Sequence, residues 1–180
     1  MHPIARRLVE HHGMSLLPVE ATWFVSTYRS EAELADGAPA GTAMLGLYTA
    51  ATEPGEVPSR SLFHRLTHDE VWHLYGGDPI RLVLLHPDGT DDEVVLGGDV
   101  ASGARVQHVI PAGTWQAGEL VDGGSWALFG CTMAPGFTGT CFEGGRRADL
   151  RRTHPSRAAD IDRLGVPDEH ATSMPDGFAT

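Results

Sequence analysis

Short apolar runs, each closed by glycine or proline, recur along most of this chain, and they constrain the fold more than any other feature. Val71 to Tyr75 stops at Gly76-Gly77, and Ile80 to Leu85 stops before Pro87-Asp88-Gly89. Glu93 to Leu96 runs into Gly97-Gly98, Val106 to Ile110 ends at Pro111, and Trp115 to Leu120 leads to Asp122-Gly123-Gly124. Trp126 to Met133 precedes Pro135-Gly136. Further upstream, Trp23 to Ser30 and Thr42 to Thr49 are rich in aromatic and β-branched residues. Such runs are too short for helices and are punctuated as strands are. Many short strands at close spacing predict an all-β sandwich or small barrel. No βαβ alternation and no phosphate-loop glycine pattern competes with that reading.

The flanks differ. Residues 4–12 carry a short helical pattern around Leu8 and Val9, closed by Gly13. Residues 31–41 read as a loop, and residues 52–59, with Pro54, Gly55 and Pro58, as a turn-rich connection. Residues 146–164 switch to helical spacing, with Leu150, Ile161 and Leu164 apolar among arginine and aspartate and a break at Pro155. The expected organisation is a barrel with an N-terminal helix and strand over 1–145, a helical extension over 146–165, and a polar, disordered or loosely docked tail over 166–180.

Composition narrows the function. A formal net charge of −11 argues against a nucleic-acid partner, because phosphate contacts need clustered cations. The local basic cluster Arg146, Arg147, Arg151 and Arg152 reads as the solvated face of a helix. All 13 cationic side chains are arginine, so imine chemistry through a lysine amine is closed to this chain. Arginine-rich, lysine-free usage suggests a GC-rich bacterial genome. No apolar run is long enough to span a bilayer, and the first residues lack a signal-peptide core, so a cytoplasmic location is the expectation. Cys131 and Cys141 are then expected to be reduced core residues.

Ser61 to Pro79 is the most informative segment, with three histidines, the adjacent carboxylates Asp69 and Glu70 and an arginine beside a strand. Pro111-Ala112-Gly113-Thr114-Trp115-Gln116 is the second. The chain resembles the cupins. In that superfamily a first motif carries His-x-His, then Glu, then Gly after six intervening residues, and a second motif carries Pro-x-Gly-x-x-His. Here six residues separate Glu70 from Gly77. His64 stands at the first histidine, Leu66 at the second, and Gln116 at the last. The closer resemblance is to the cupin-5 family, DUF985. Its strings Ser-x-x-His-Arg-x-x-x-Asp-Glu-x-Trp-His-x-Tyr-x-Gly and Val-Pro-x-Gly-x-Trp-Gln match Ser61 to Gly77 and Ile110 to Gln116. Pro135-Gly136-Phe137, Phe142-Glu143 and Thr27 to Ser30 match as well. The resemblance implies a double-stranded β-helix, a jelly-roll barrel with its site inside. One segment departs: where the family usually reads His-Pro-Glu-Gly-Gly-x-Tyr-Arg-Glu-Thr-Tyr, only Glu20 and the end of the following strand survive.

The resemblance aligns His64, Glu70 and Gln116 as metal candidates, with His68 a tentative replacement for the ligand lost at Leu66. Imidazole and carboxylate suit iron, nickel, zinc or manganese, and a site with no metal at all is the other expectation. Strand parity places Trp72 and Leu74 on the face of Glu70 and His73 on the opposite face. Arg65 is a candidate clamp for a substrate anion, or else the partner of Asp69 or Glu70. His64 and Glu70 form the expected catalytic acid–base pair. Arg65, Trp72, Leu74 and Gln116 are the expected substrate contacts. The favoured function is isomerase, epimerase or lyase chemistry on a small polar, acidic or sugar-like molecule in a specialised biosynthetic role. The alternatives are a non-catalytic binding or sensing module and a metal-dependent dioxygenase. A homodimer is expected, with Val71, His73 and Tyr75 on the shared face.

Overall fold

Proline at the first helical turn and a left-handed glycine after the last bound the first element, α1 (Pro3–His12). Gly13, at φ 64°, donates its N–H to the Val9 carbonyl and turns the chain into the sheet. The computed structural model describes residues 1–53 and 55–175. The strands are β1 (Ser15–Leu16), β2 (Trp23–Arg29), β3 (Thr42–Thr49), β4 (Ser61–Leu66), β5 (Glu70–Gly77), β6 (Ile80–Leu85), β7 (Asp91–Leu96), β8 (Gln107–Ile110), β9 (Trp115–Leu120), β10 (Trp126–Met133) and β11 (Phe142–Gly144). Two short helices follow, α2 (Arg147–Thr153) and α3 (Ala158–Leu164).

The strands form two antiparallel sheets, ordered β1-β2-β3-β10-β5-β8 and β11-β4-β9-β6-β7. This is the expected cupin-type β-sandwich. Turn chemistry sets the hairpins. Between β6 and β7, Gly89 lies at φ 88° and the Asp88 carboxylate accepts from the Thr90 N–H at 2.9 Å.

β6 explains how both sides of the second sheet are covered. Its Ile80, Leu82 and Leu84 point into the sandwich with Tyr48, Trp72, Phe129 and Cys131. Its Val83 and Leu85 point the other way, onto Leu150, Ile161 and Leu164 of the C-terminal helices. A strand buried on both faces reads as a continuous apolar run, as Ile80–Leu85 does. Each of those three helical side chains contributes about 1.5–3 kcal/mol by leaving water. Arg81 fastens α3 from the same strand, donating to Asp160 at 2.8 Å and to Glu93 at 2.8 Å.

The tail differs from expectation over 166–175. Val166 is buried, its N–H bonds the Gly145 carbonyl at 2.9 Å, and the Thr172 carbonyl accepts from Gly144 at 2.6 Å. Met174 is buried among Leu66, Met133, Cys141 and Phe142. Two anchors suffice because β11 offers open backbone groups for them to follow. Residues 176–180 lie outside the described residues. Among the described residues, no helix is long and apolar enough to cross a membrane.

Candidate functional site

Register brings the site together. His64 on β4 pairs directly with Gln116 on β9, so both side chains leave the same face of the second sheet. Glu70 and Trp72 sit two apart on β5 of the opposing sheet and share the inward face. The two sheets meet across the interior through hydrogen bonds. The Trp72 indole N–H donates to Gln116 Oε1 at 2.8 Å and Glu70 Oε2 at 2.9 Å, and Gln116 Nε2 donates to Glu70 Oε2 at 2.8 Å. The indole has only a donor to give, which fixes the amide orientation of Gln116. Stacking on Phe129 at 4.8 Å and 10° holds the Trp72 ring flat against the cavity.

His64 is buried, stacks on Phe142 at 5.3 Å, and places Nδ1 2.9 Å from the Leu62 carbonyl. A carbonyl only accepts, so Nδ1 carries the proton and Nε2 the lone pair. Burial pushes the imidazole below its ordinary pKa, opposed by the nearby Glu70 carboxylate. Burial likewise pushes Glu70 up, opposed by His64. Desolvation therefore favours the neutral forms of both.

Glu20 is the residue that the sequence reasoning left without a role. It lies in the turn before β2, its side chain 12% exposed beside the same cavity, with Oε2 3.7 Å from His64 Nδ1. That separation is a contact and not a hydrogen bond, since the Nδ1 proton goes to Leu62. Burial raises its carboxyl to about 8, and a hydrogen bond from Ser61 offsets only part of this. The turn is strained. Val19 (φ 69°) and Ala21 (φ 62°) both adopt left-handed backbone, a conformation that costs on the order of 1–3 kcal/mol each. Counted back from Thr27-Tyr28, the family string has glycine where Ala21 stands. Backbone bonds pin the turn to β4: Leu62 N–H donates to the Glu20 carbonyl at 3.0 Å and Arg60 N–H to that of Ala21 at 3.3 Å. Beneath it, Tyr48 donates to Ser61 Oγ at 2.6 Å, and Ser61 meets Thr22 Oγ1 at 2.8 Å. Gly118 makes this possible, since a Cβ there would stand 2.5 Å from the Tyr48 hydroxyl. The survival of Glu20 in an otherwise altered segment was the signal available in sequence.

These groups form one end of a cavity of about 290 Å³ between the sheets. Its walls are mainly apolar, from Phe24, Met44, Leu66, Phe129, Met133 and Phe137, and Arg29 lines it from an exposed position on β2. His64, Glu70 and Trp72 line the cavity as expected, while Gln116 stands behind Glu70 and Trp72. Leu74 is not among the lining residues and packs into the core beside Tyr48. Arg65 points away, pairing with Glu143 at 2.7 Å and covering the Trp115 ring at 4.5 Å. Neither Asp69 nor Glu70 is its partner: Asp69 accepts from the Ala112 N–H instead. His68 occupies the turn between β4 and β5, away from the lining. His73 faces outward, bonded to Thr132 at 2.9 Å and Gln107 at 3.0 Å.

The metal expected of a cupin does not fit this donor set. Leu66 stands where a second histidine would, the Gln116 amide is committed to Trp72 and Glu70, and His68 is remote. Glu20, His64 and Glu70 border one cavity, yet among the described residues no three His, Cys, Asp or Glu side chains come together closely enough to hold a metal ion. What the cavity presents is an imidazole that burial holds toward its neutral form, with its lone pair on Nε2, and two carboxyls held toward their protonated forms. That combination supplies a base and an acid at one end of an apolar chamber.

Two facing antiparallel sheets with an interior pole of His64, Glu70 and Gln116 define a cupin. The chain belongs to the Cupin superfamily (DUF985) family, Cupin_5, whose model matches residues 6–144. It is similar to a crystal structure of a Shewanella oneidensis protein, at 27% identity and a TM-score of 0.80, covering 91% of this chain and 98% of that one. A hypothetical protein from Leishmania major is 25% identical with a TM-score of 0.78, over 89% of this chain and 98% of that one. A cupin 2 domain-containing protein from Halorhodospira halophila, at 14% identity and a TM-score of 0.50, shares the fold, over 79% of this chain and 81% of that one. No curated protein sequence matches the chain.

Proposed function

We propose that this cupin is a small-molecule enzyme that moves protons on carbon, as an isomerase, epimerase or lyase, with His64 as base and Glu70 as acid. The carrying observation is the convergence of Glu20, His64 and Glu70 at one end of a cavity. In this reading His64 Nε2 takes a proton from the carbon beside a carbonyl. Glu70 lends its carboxyl proton to the oxygen where charge develops, and Gln116 and Trp72 hold Glu70 in place. The proton count balances when His64 returns its proton to carbon at a new position or face while Glu70 recovers its own from the oxygen, or, in elimination, when Glu70 recovers that proton and passes it to the leaving group and the His64 proton returns to Glu70 through solvent.

The apolar walls and the double hydrogen bond to Glu70 Oε2 favour a second reading, a non-catalytic binding module. Solvent exchange separates the two. In deuterium oxide, a panel of ketones and α-hydroxy ketones is followed by proton NMR for loss of the α-proton signal. Catalysis predicts exchange with at least one compound, abolished by Glu70→Gln and His64→Ala with fold retained. Binding without exchange, or exchange indifferent to both substitutions, supports the module and contradicts the enzyme.

A further inference from the structure

The chemistry of the cavity wall says more about its ligand than the motif does. Polar groups gather at one pole, where Glu20, His64 and Glu70 meet. Beyond those three residues the wall is mainly carbon and sulfur, from Phe24, Met44, Leu66, Met133 and Phe137, with Ser26, Thr42 and Arg29 as polar members. A sugar would need hydrogen-bond partners all around it, and beyond the three titratable groups this wall offers chiefly Ser15, Ser26 and Thr42, the last already bonded to the Phe137 N–H. A carboxylate or phosphate delivered to the pole would be buried beside two carboxyl groups with no cation there. Arg29, the one guanidinium among the described lining residues, stands exposed on β2. Burying an unpaired anion is strongly unfavourable.

We infer that the cavity takes an uncharged, mostly apolar molecule with a single hydroxyl or carbonyl head, seated tail outward with its head at Glu20, His64 and Glu70. This deepens the proton-transfer reading and rests on the same cavity. It also redirects the expectation of a polar or acidic ligand. The volume of about 290 Å³ equals about ten water volumes, the space of a medium-length chain or one substituted ring. Burial of such a tail against methionine and phenylalanine supplies affinity. The neutral head exchanges hydrogen bonds with carboxyl and imidazole without bringing charge into the interior.

The test uses the intact protein labelled with carbon-13 at its methionine methyls. Met44 and Met133 line the cavity, whereas Met1 packs outside it against the Ala5, Met14 and Leu47 cluster, with its amino group beside Glu56. The probes are 1-hexanol, 1-octanol, octanoate and glucose. Saturable shifts at Met44 and Met133 but not at Met1 are expected with 1-octanol. Octanol should bind about fifteenfold more tightly than hexanol, from ~fourfold per methylene, and octanoate at least about tenfold more weakly than octanol. Glucose should leave both methyls unmoved. Octanoate or glucose binding more tightly than octanol overturns the inference. So does affinity independent of chain length, equal shifts at Met1, or no shift with any probe. Octanol has no carbon acid to exchange, so its binding is independent of catalysis. Loss of exchange with octanol binding intact refutes only the enzyme, and failure of octanol to bind refutes only the ligand class.

Discussion

Gln116 shows what a single residue contributes here. Its amide joins β9 to β5 by accepting from Trp72 and donating to Glu70. Gln116→Ala leaves one buried indole N–H with a partner fewer and one buried carboxyl oxygen with a donor fewer. Denaturation in urea should show a loss of about 1–3 kcal/mol with an unchanged slope. Glu20 makes the opposite contribution at high pH. Its folded pKa of about 8 lies above the ordinary value of 4.5, so the native state binds more protons than the unfolded chain between those values. Its stabilisation is fully present below about pH 4.5 and is lost as pH rises through 8. Relative to Glu20→Gln, the native protein should lose up to about 1.4 kcal/mol per pH unit across that window. Melting curves from pH 5 to 8.5 check this; parallel profiles for the two proteins would show that Glu20 is not buried as a neutral acid.

At the scale of elements, the tail segment 166–175 gives a direct prediction. Ending the chain after Gly165 removes Val166 and Met174 and uncovers Leu66, Cys141 and Phe142. The melting temperature should fall, by an amount matching about 1.5–3 kcal/mol for each lost side chain. An unchanged melting temperature would mean that the segment docks without stabilising the barrel. That segment was illegible in sequence because two anchors spaced eight residues apart carry no period. Ile80–Leu85, Trp115–Leu120 and Trp126–Met133 were legible to the residue, since turn residues close each one. β4 read only as the approach to a strand, because His64 and Arg65 interrupt its apolar residues and one of them faces inward. The convergence of His64, Glu70, Gln116 and Trp72 followed from motif and strand parity. Parity set Leu74 on the inward face, where it packs against the core and not the cavity, and Arg65 took neither expected role because its partner Glu143 comes from β11, 78 residues away. Left-handed backbone at Val19 and Ala21 has no signature in residue type, so the placement of Glu20 required coordinates.

Considered whole, the molecule covers one sheet and leaves part of the other open. Helices α2 and α3 seal the second sheet. On the first, β8 is an edge strand, and Val106, Val109 and Tyr75 are each about half exposed. Tyr75 lies parallel to His73 at 6.2 Å, making a flat mixed surface beside that edge. Edges of this kind are commonly closed by pairing, so a homodimer is the expected solution state. Size exclusion with light scattering should return twice the chain mass at micromolar concentration, and a Val109→Asp variant should return the chain mass. A wild-type monomer would contradict the expectation.

The central claim is that Glu20, His64 and Glu70 meet in one desolvated pole where burial shifts each group toward its neutral form. A carbon-13 NMR titration of the glutamate carboxyls and histidine rings from pH 4 to 9 tests it most directly. Two carboxyl resonances should titrate above the ordinary glutamate range, Glu20 near pH 8, and each should be identified by its disappearance in Glu20→Gln or Glu70→Gln. The His64 ring should stay neutral with its proton on Nδ1 down to a pH below the ordinary histidine midpoint. Both carboxyls ionised at pH 6, or a protonated His64 ring there, would contradict the account.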